Sequence, residues 1–249
     1  MKTTPKYSVI VPAFKEEVVI EDSLHNLAKE LKKDEKRYLL TEVIVVASDG
    51  GDATAEIAKR HAGLFSYFKV IEPGPKVGKG RDVGSGMLAA SGEYRLFTDA
   101  DMATPPRHIA HAFHILEEGA DIVIGVRPLK RIHNTFSRRA RSVLSNMLIR
   151  VLAVPGINDT QCGFKGFTKN AAISLFEPLE TLKWGFDIEI LVRARANGYN
   201  IAQMTITDWH DPKIGSLGLG GETDWQANIN TLKELLSIFT KRIKGYYKK

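Results

Sequence analysis

Cysteine is nearly missing from this chain: Cys162 is the only one among 249 residues. No intrachain disulfide can form, so the fold must rest on its own apolar core, which fits a reducing compartment. One isolated thiol of this kind reads as a small buried apolar residue rather than a nucleophile. Long apolar runs are missing as well. No stretch reaches the roughly 18 residues a spanning helix needs, and the opening MKTTPKYSVIVPAF is too short in apolar length for a secretory leader. The expectation is a cytosolic chain. Low-complexity tracts and internal repeats are also lacking. The composition, 43% hydrophobic and 26% charged, is that of an ordinary globular protein, and a single domain over 1–249 is expected.

One absence is local. No acidic residue stands between Asp121 and Asp159, while Arg127, Lys130, Arg131, Arg138, Arg139, Arg141 and Arg150 all fall there. With a formal charge of +6 for the whole chain, this segment calls for an anionic partner: phosphate groups, a membrane surface or nucleic acid. A solvated basic face is the plainer alternative.

What is present is an alternation. Short β-branched runs (YSVIV from Tyr7, EVIVV from Glu42, FKVI from Phe68, YRLFT from Tyr94, DIVIGV from Asp121) are separated by amphipathic segments over 17–31, 53–62, 81–90 and 107–118. This order predicts an α/β fold, a mostly parallel central sheet with helices on both faces. Beyond Val126 a helix is expected over 136–153, a loop-rich region around INDTQCGFKGF, a helix over 187–197 and a strand over 201–207. The glycine-rich DPKIGSLGLGG is expected to be a mobile loop. A closing helix from Trp225 carries Ile229, Leu232, Leu235, Leu236, Phe239 and Ile243 at helical spacing beside Lys241, Arg242 and Lys244, and either packs on the core or lies on a membrane.

In open parallel sheets, ligands bind beyond the carboxyl ends of the strands. Three loops follow strands on that edge: Pro12 to Glu17, Ser48 to Asp52 and Asp99 to Asp101. The last, in YRLFTDADMATPP, sets two carboxylates two residues apart after a buried strand. Their repulsion is relieved by one divalent cation between them, and oxygen ligands of this kind suit Mg²⁺ or Mn²⁺. The upstream GPKVGKGRDVGSG fits neither the P-loop nor the dinucleotide spacing. It reads as a turn in which Lys79, Arg81 and backbone N–H groups at a helix start could meet a diphosphate. His108, His111 and His114 recur at helical spacing and are read as exposed or capping rather than as a metal cluster.

Taken together and in order, VIVPAFKEE, EVIVVASDGGDAT, GKGRDVGSGMLAASGEYRLFTDADMATPP and DTQCGFKGF resemble the family-2 inverting glycosyltransferases of the GT-A (Rossmann-like) fold. Within them the polyprenyl-phosphate sugar transferases, in particular the dolichyl-phosphate β-glucosyltransferases, are most similar. The likeness runs from about Tyr7 to about Trp209.

The resemblance implies a nucleotide-sugar half over about 1–126, an acceptor half over about 127–223 and an amphipathic basic C-terminal helix over 224–249. It implies that Pro12, Ala13, Phe14 and Glu16 line the base and ribose pocket. Asp99, Ala100 and Asp101 would hold the metal and diphosphate, and Lys79 would assist. Asp159 and Gln161 would face donor sugar or acceptor. Arg127, Arg138, Arg139, Arg141, Asp187 and Glu189 would contact the acceptor or its phosphate. Apart from the resemblance, Trp209 and His210 stand just before the glycine-rich loop and could close over the donor. The usual VDDGS appears here as Val46, Ala47, Ser48, Asp49 and Gly50, so Ser48 stands where the base-reading aspartate is expected, with Asp49 one residue on. The dolichyl subgroup often carries a membrane-spanning segment, and this sequence has none.

The implied reaction is transfer of glucose from UDP-glucose to a polyprenyl phosphate at the cytosolic membrane face, with Mg²⁺ or Mn²⁺, peripheral membrane contact and a possible membrane-protein partner. Mannosyl transfer from GDP-mannose, another family-2 transfer to a saccharide or protein, and a non-catalytic sugar-nucleotide sensor remain alternatives. A nucleic-acid module is not expected, because no RNA- or DNA-binding motif accompanies the basic segment.

Overall fold

The computed structural model describes residues 5–34, 41–128, 154–210 and 224–248. Seven strands form one sheet: β1 (Tyr7–Ala13), β2 (Glu42–Ala47), β3 (Tyr67–Ile71), β4 (Tyr94–Thr98), β5 (Ile122–Val126), β6 (Phe164–Thr168) and β7 (Ile201–Thr205), in spatial order β3-β2-β1-β4-β6-β5-β7. The β1 to β4 pairings and the β5–β7 pairing are parallel, whereas β6 runs antiparallel between β4 and β5. The helices are α1 (Ile20–Leu31), α2 (Thr54–Arg60), α3 (Lys79–Ala89), α4 (His108–Glu117), α5 (Lys169–Phe176), α6 (Phe186–Ala196) and α7 (Asp224–Ile243).

The strands read as continuous apolar runs because both sheet faces are covered, and side chains then alternate between two cores. Ile10, Ile44, Val46 and Phe97 face the core built with α3, α5 and α6. Val9, Val11, Val43, Val45 and Leu96 face the core built with α1 and α4. Helix α3 lies close against the sheet because residue 86 is glycine: a Cβ there would stand 2.4 Å from the Cγ2 of Ile10. That closeness holds the helix whose first residue, Lys79, pairs with Asp99 beyond the end of β4.

The region expected to be loop-rich contains β6, followed directly by α5. The run FKGFT hides its strand character: Lys165 is fully buried, with its ammonium donating to Asp187 Oδ1 at 2.5 Å and to the Cys162 carbonyl at 2.6 Å. Gly166 lies under Val123, where a Cβ would come within 2.8 Å. A buried charge paired in this way, and a glycine placed for close approach, break the apolar pattern that marks a strand.

Helix α7 packs on the core through Ile238, and Tyr247 beyond it is buried beneath the Arg193 guanidinium. Lys241 pairs with Glu180, whose other oxygen accepts from the Tyr246 hydroxyl at 2.7 Å. Leu236 and Ile243 remain exposed. Among the described residues, no helix is long and apolar enough to cross a membrane. The helix expected over 136–153 and the loop DPKIGSLGLGG lie outside the described residues.

Cys162 is fully buried, and burial pushes its thiol up to about 11. A thiol reagent at pH 8 is therefore expected to leave the folded chain unmodified and to titrate one thiol after unfolding in guanidinium. Rapid stoichiometric reaction of the native protein would contradict this packing.

Candidate active site

Because β1, β2 and β4 are parallel neighbours, the loops after them open on one edge, as expected from the sequence. The antiparallel β6 brings a further loop there by its entry rather than its exit, since Phe164 pairs with Thr98 and residues 158–163 therefore arrive beside the end of β4.

The aspartate pair sits in a tightly held turn. The Asp99 amide donates to the Gly163 carbonyl at 3.1 Å and the Met102 amide to the Asp99 carbonyl at 3.1 Å, while Asp101 Oδ1 accepts from the Ala103 amide at 3.0 Å. The Ser23 hydroxyl of α1 donates to the Ala100 carbonyl at 2.5 Å. Met102 closes the turn at φ 50°, in the left-handed region that non-glycine residues seldom adopt. The carboxylate of Asp99 occupies the space a side chain at 163 would fill: a Cβ there would lie 1.9 Å from Asp99 Oδ2. Gly163 is thus the seat of Asp99.

Lys79 forms an ion pair with Asp99. Burial would pull Lys79 down, but Asp99, Asp187 and Asp101 outweigh it and hold the ammonium above its usual range. On the other side stands Glu16, whose amide donates to the Thr54 hydroxyl at 2.9 Å. Burial, with Asp101, Asp99 and Asp52 nearby, pushes Glu16 up to about 7. Burial and Asp99 likewise push Asp101 up. Among the described residues, the one lysine paired here does not neutralise these carboxylates. The set is rich in oxygen donors and short of positive charge, which suits a hard divalent cation held by Asp99 and Asp101.

The loop after β1 turns through Lys15 at φ 58°, and Gly50 makes room for it, since a Cβ at 50 would stand 2.8 Å from Lys15 Cγ. The Lys76 ammonium lies over the Phe14 ring, 3.8 Å from its centroid. Ser48 is buried, donating to Asp82 Oδ1 at 2.7 Å and accepting from the Arg81 guanidinium at 2.7 Å. Asp49 is exposed and accepts from the Gly51 amide at 3.0 Å.

Arg81 also donates to the Pro73 carbonyl at 3.1 Å. The first amides of α3 are taken too: Gly80 donates to the Lys183 carbonyl at 3.3 Å and Arg81 to the Leu182 carbonyl at 3.0 Å. These bonds correct the expectation that Arg81 and the amides of this helix start meet a diphosphate; of that stretch, the Lys79 side chain reaches the site.

Asp159 receives Arg127 in a two-pronged pair, Nε to Oδ2 at 2.6 Å and Nη2 to Oδ1 at 2.8 Å, and accepts from the Gln161 amide at 3.2 Å. Burial alone would raise Asp159, but the guanidinium outweighs it and holds the carboxyl below its usual range. Gln161 is exposed. The Arg127 guanidinium faces Trp209, and His210 lies close enough to Asp101 to stabilise its charge, its amide donating to the Ala103 carbonyl at 3.2 Å.

Asp187 is buried against Lys165. Glu189 accepts from Arg193 Nε at 2.7 Å and from the Thr181 amide at 2.8 Å, and is fully buried. The structure therefore gives Glu189 an architectural position instead of the expected acceptor contact. Arg138, Arg139 and Arg141 lie outside the described residues. His108 Nε2 sits 2.5 Å from Asp208 Oδ1 and His114 pairs with Glu118, so these histidines do not converge.

Against this geometry, the profile of glycosyl transferase family 2 matches residues 8–176. The chain belongs to glycosyl transferase family 2. Among its relatives, a dolichyl-phosphate beta-glucosyltransferase of Trichomonas vaginalis is 32% identical over 232 residues, covering 86% of this chain and 68% of that protein. The dolichyl-phosphate beta-glucosyltransferase of Dictyostelium discoideum is 30% identical over 257 residues, covering 97% and 76%.

In fold, this family-2 chain is similar to glucosyl-3-phosphoglycerate synthase from Mycobacterium tuberculosis, solved with Mn²⁺, UDP-glucose and phosphoglyceric acid. The TM-score is 0.69 at 19% identity, over 95% of this chain and 80% of that one. The architecture is the GT-A fold expected from the sequence.

Four site features of this family-2 chain escaped the sequence reading. Gly163 acts by having no side chain, and Asp52 and Lys76 stand inside the stretches EVIVVASDGGDAT and GPKVGKGRDVGSG without a role of their own being marked there. Trp184 is half exposed, with the Lys79 ammonium 5.6 Å from its ring centroid. An aromatic on the surface beside a charged cleft was its available signal.

Gly163→Ala is expected to displace Asp99 and weaken Mn²⁺ binding by about 10–100-fold while the fold is retained, as read by electron paramagnetic resonance and a thermal melt. For Asp159 the folded value lies below the unfolded value of about 3.9. The pair therefore contributes stability above that pH, and this is lost as pH falls through the folded value. Arg127→Ala is expected to move the Asp159 carboxyl resonance midpoint upward and to remove that contribution to stability above pH about 3.9.

Proposed function

We propose that this chain moves glucose from UDP-glucose to a polyprenyl phosphate with inversion at the anomeric carbon, at the cytosolic face of a membrane. The carrying observation is the convergence of Glu16, Asp99, Asp101 and Lys79 on one sheet edge, in a chain whose relatives are named as dolichyl-phosphate glucosyltransferases.

Asp99 and Asp101 would hold Mg²⁺ or Mn²⁺. When bound, the ion supplies positive charge to the departing diphosphate. Lys79, kept protonated by its carboxylate neighbours, is placed to add to that charge where it develops. Phe14 and the loop through Lys15 would line the base, with Asp49 rather than Ser48 offering an exposed carboxylate. Trp209, beside Arg127, and His210, near Asp101, would restrict water around the sugar.

A phosphate acceptor is already anionic near neutral pH and needs no strong general base. Asp159 fits that chemistry: paired with Arg127 and held ionised, it is suited to placing the guanidinium for an incoming phosphate rather than to removing a proton.

The test is release of nucleoside diphosphate from a panel of UDP- and GDP-sugars with Mg²⁺ or Mn²⁺, with and without a short polyprenyl phosphate. Lipid-dependent release from UDP-glucose is expected, reduced at least about 100-fold in Asp101→Ala. Preference for GDP-mannose would replace the donor, and release indifferent to lipid would replace the acceptor. No release from any donor, with the fold intact, would favour a sugar-nucleotide sensor.

A further inference from the structure

Away from the carboxylate edge, α1 and the end of α2 assemble a different donor set. Glu21 and His25 stand one turn apart on α1, and His61 is the residue that closes α2. One ligand atom from each of the three lies within 4.8 Å of the others. The two imidazoles meet edge to face with centroids 5.0 Å apart, and His61 Nε2 is 3.3 Å from Glu21 Oε1.

The backbone sets which ring nitrogens are available. His25 Nδ1 lies 3.0 Å from the Glu21 carbonyl, and His61 Nδ1 lies 2.8 Å from the Ile57 carbonyl. A carbonyl oxygen only accepts, so each Nδ1 carries the proton and each neutral ring keeps its lone pair on Nε2. Pinning one imidazole nitrogen by a hydrogen bond while the other stays basic is how proteins orient histidine toward a metal. The 3.3 Å between His61 Nε2 and Glu21 Oε1 also matches the ligand–ligand edge of about 3.3 Å that a tetrahedral ion with bonds of about 2.0 Å requires.

We propose that Glu21, His25 and His61 form a second metal site, taking a divalent transition ion of the zinc type and tying α1 to the end of α2. Two imidazoles and one carboxylate favour such an ion over Mg²⁺, in contrast to the oxygen-only pair at Asp99 and Asp101. Glu21 and His25 are exposed and His61 is partly so, which leaves the fourth position to water. The site needs nothing from the proposed glycosyl transfer.

The experiment is a Zn²⁺ titration of the full chain in excess Mg²⁺, which occupies oxygen sites and competes poorly for imidazole. Side-chain ¹⁵N resonances of the histidines are followed in the parent. Nε2 of His25 and of His61 are expected to shift together, complete at one equivalent, ahead of the other histidines. His25→Ala and His61→Ala are each expected to weaken that equivalent at least about 10-fold, and Zn²⁺ should raise the melting temperature of the parent but not of the double variant. Failure of the two Nε2 signals to move before the other histidines would overturn the site. So would zinc binding unchanged in the double variant. Either result would reduce the cluster to an ion pair that Glu21 makes only with a protonated His61.

Discussion

Like charges crowded at one edge of a sheet are the constraint around which the rest of this molecule is arranged. Burial together with Asp101 and Asp99 raises Glu16, and burial together with Asp99 raises Asp101; a folded chain tolerates this crowding only if positive charge is supplied and the carboxylates cannot swing apart. Lys79 supplies part of the charge. The geometry is enforced from beneath, by a glycine where Asp99 lies against backbone and by a turn tied through the amides of Asp99, Met102 and Ala103 and the carbonyls of Asp99 and Ala100. The close packing of α3 on β1 and β2 then reads as the means by which the lysine is held in place.

The single antiparallel strand belongs to the same arrangement. A wholly parallel sheet offers its ligand edge only the loops that leave strands. By reversing β6, the chain adds a loop that enters one, and with it Asp159, Gln161 and Gly163 beside the end of β4. The cost is a buried lysine within that strand, which Asp187 from α6 neutralises. One contact between strand and helix therefore supports both the sheet and the electrostatics above it, since Asp187 also acts on Lys79.

Much of this was legible in residue order. Alternating apolar runs and amphipathic segments marked the parallel half, and the rule that ligands gather at strand ends selected the loops carrying Glu16, Asp49 and Asp99. The aspartate pair announced itself because nothing in folding alone rewards it. What stayed hidden obeys a different logic. FKGFT has neither an alternating nor an all-apolar pattern, so β6 could not be distinguished from a loop. The amides at the start of α3 looked open because their partners, the carbonyls of 182 and 183, lie about 100 positions away in sequence and no local rule brings them near. Glu189 carries the same charge in the sequence as a ligand-binding carboxylate would; only its clamp on Arg193 and the Thr181 amide distinguishes it.

The loop after β2 carries a consequence for how such chains diverge. Ser48 is a buried hydroxyl that donates to Asp82 while Arg81 closes over both. An aspartate at 48 would bring a second carboxylate against Asp82 with a single guanidinium to serve the two. Positions 48 and 82 are therefore not independent letters. An acid at 48 would favour a neutral residue at 82, so that the two positions act as one unit of charge.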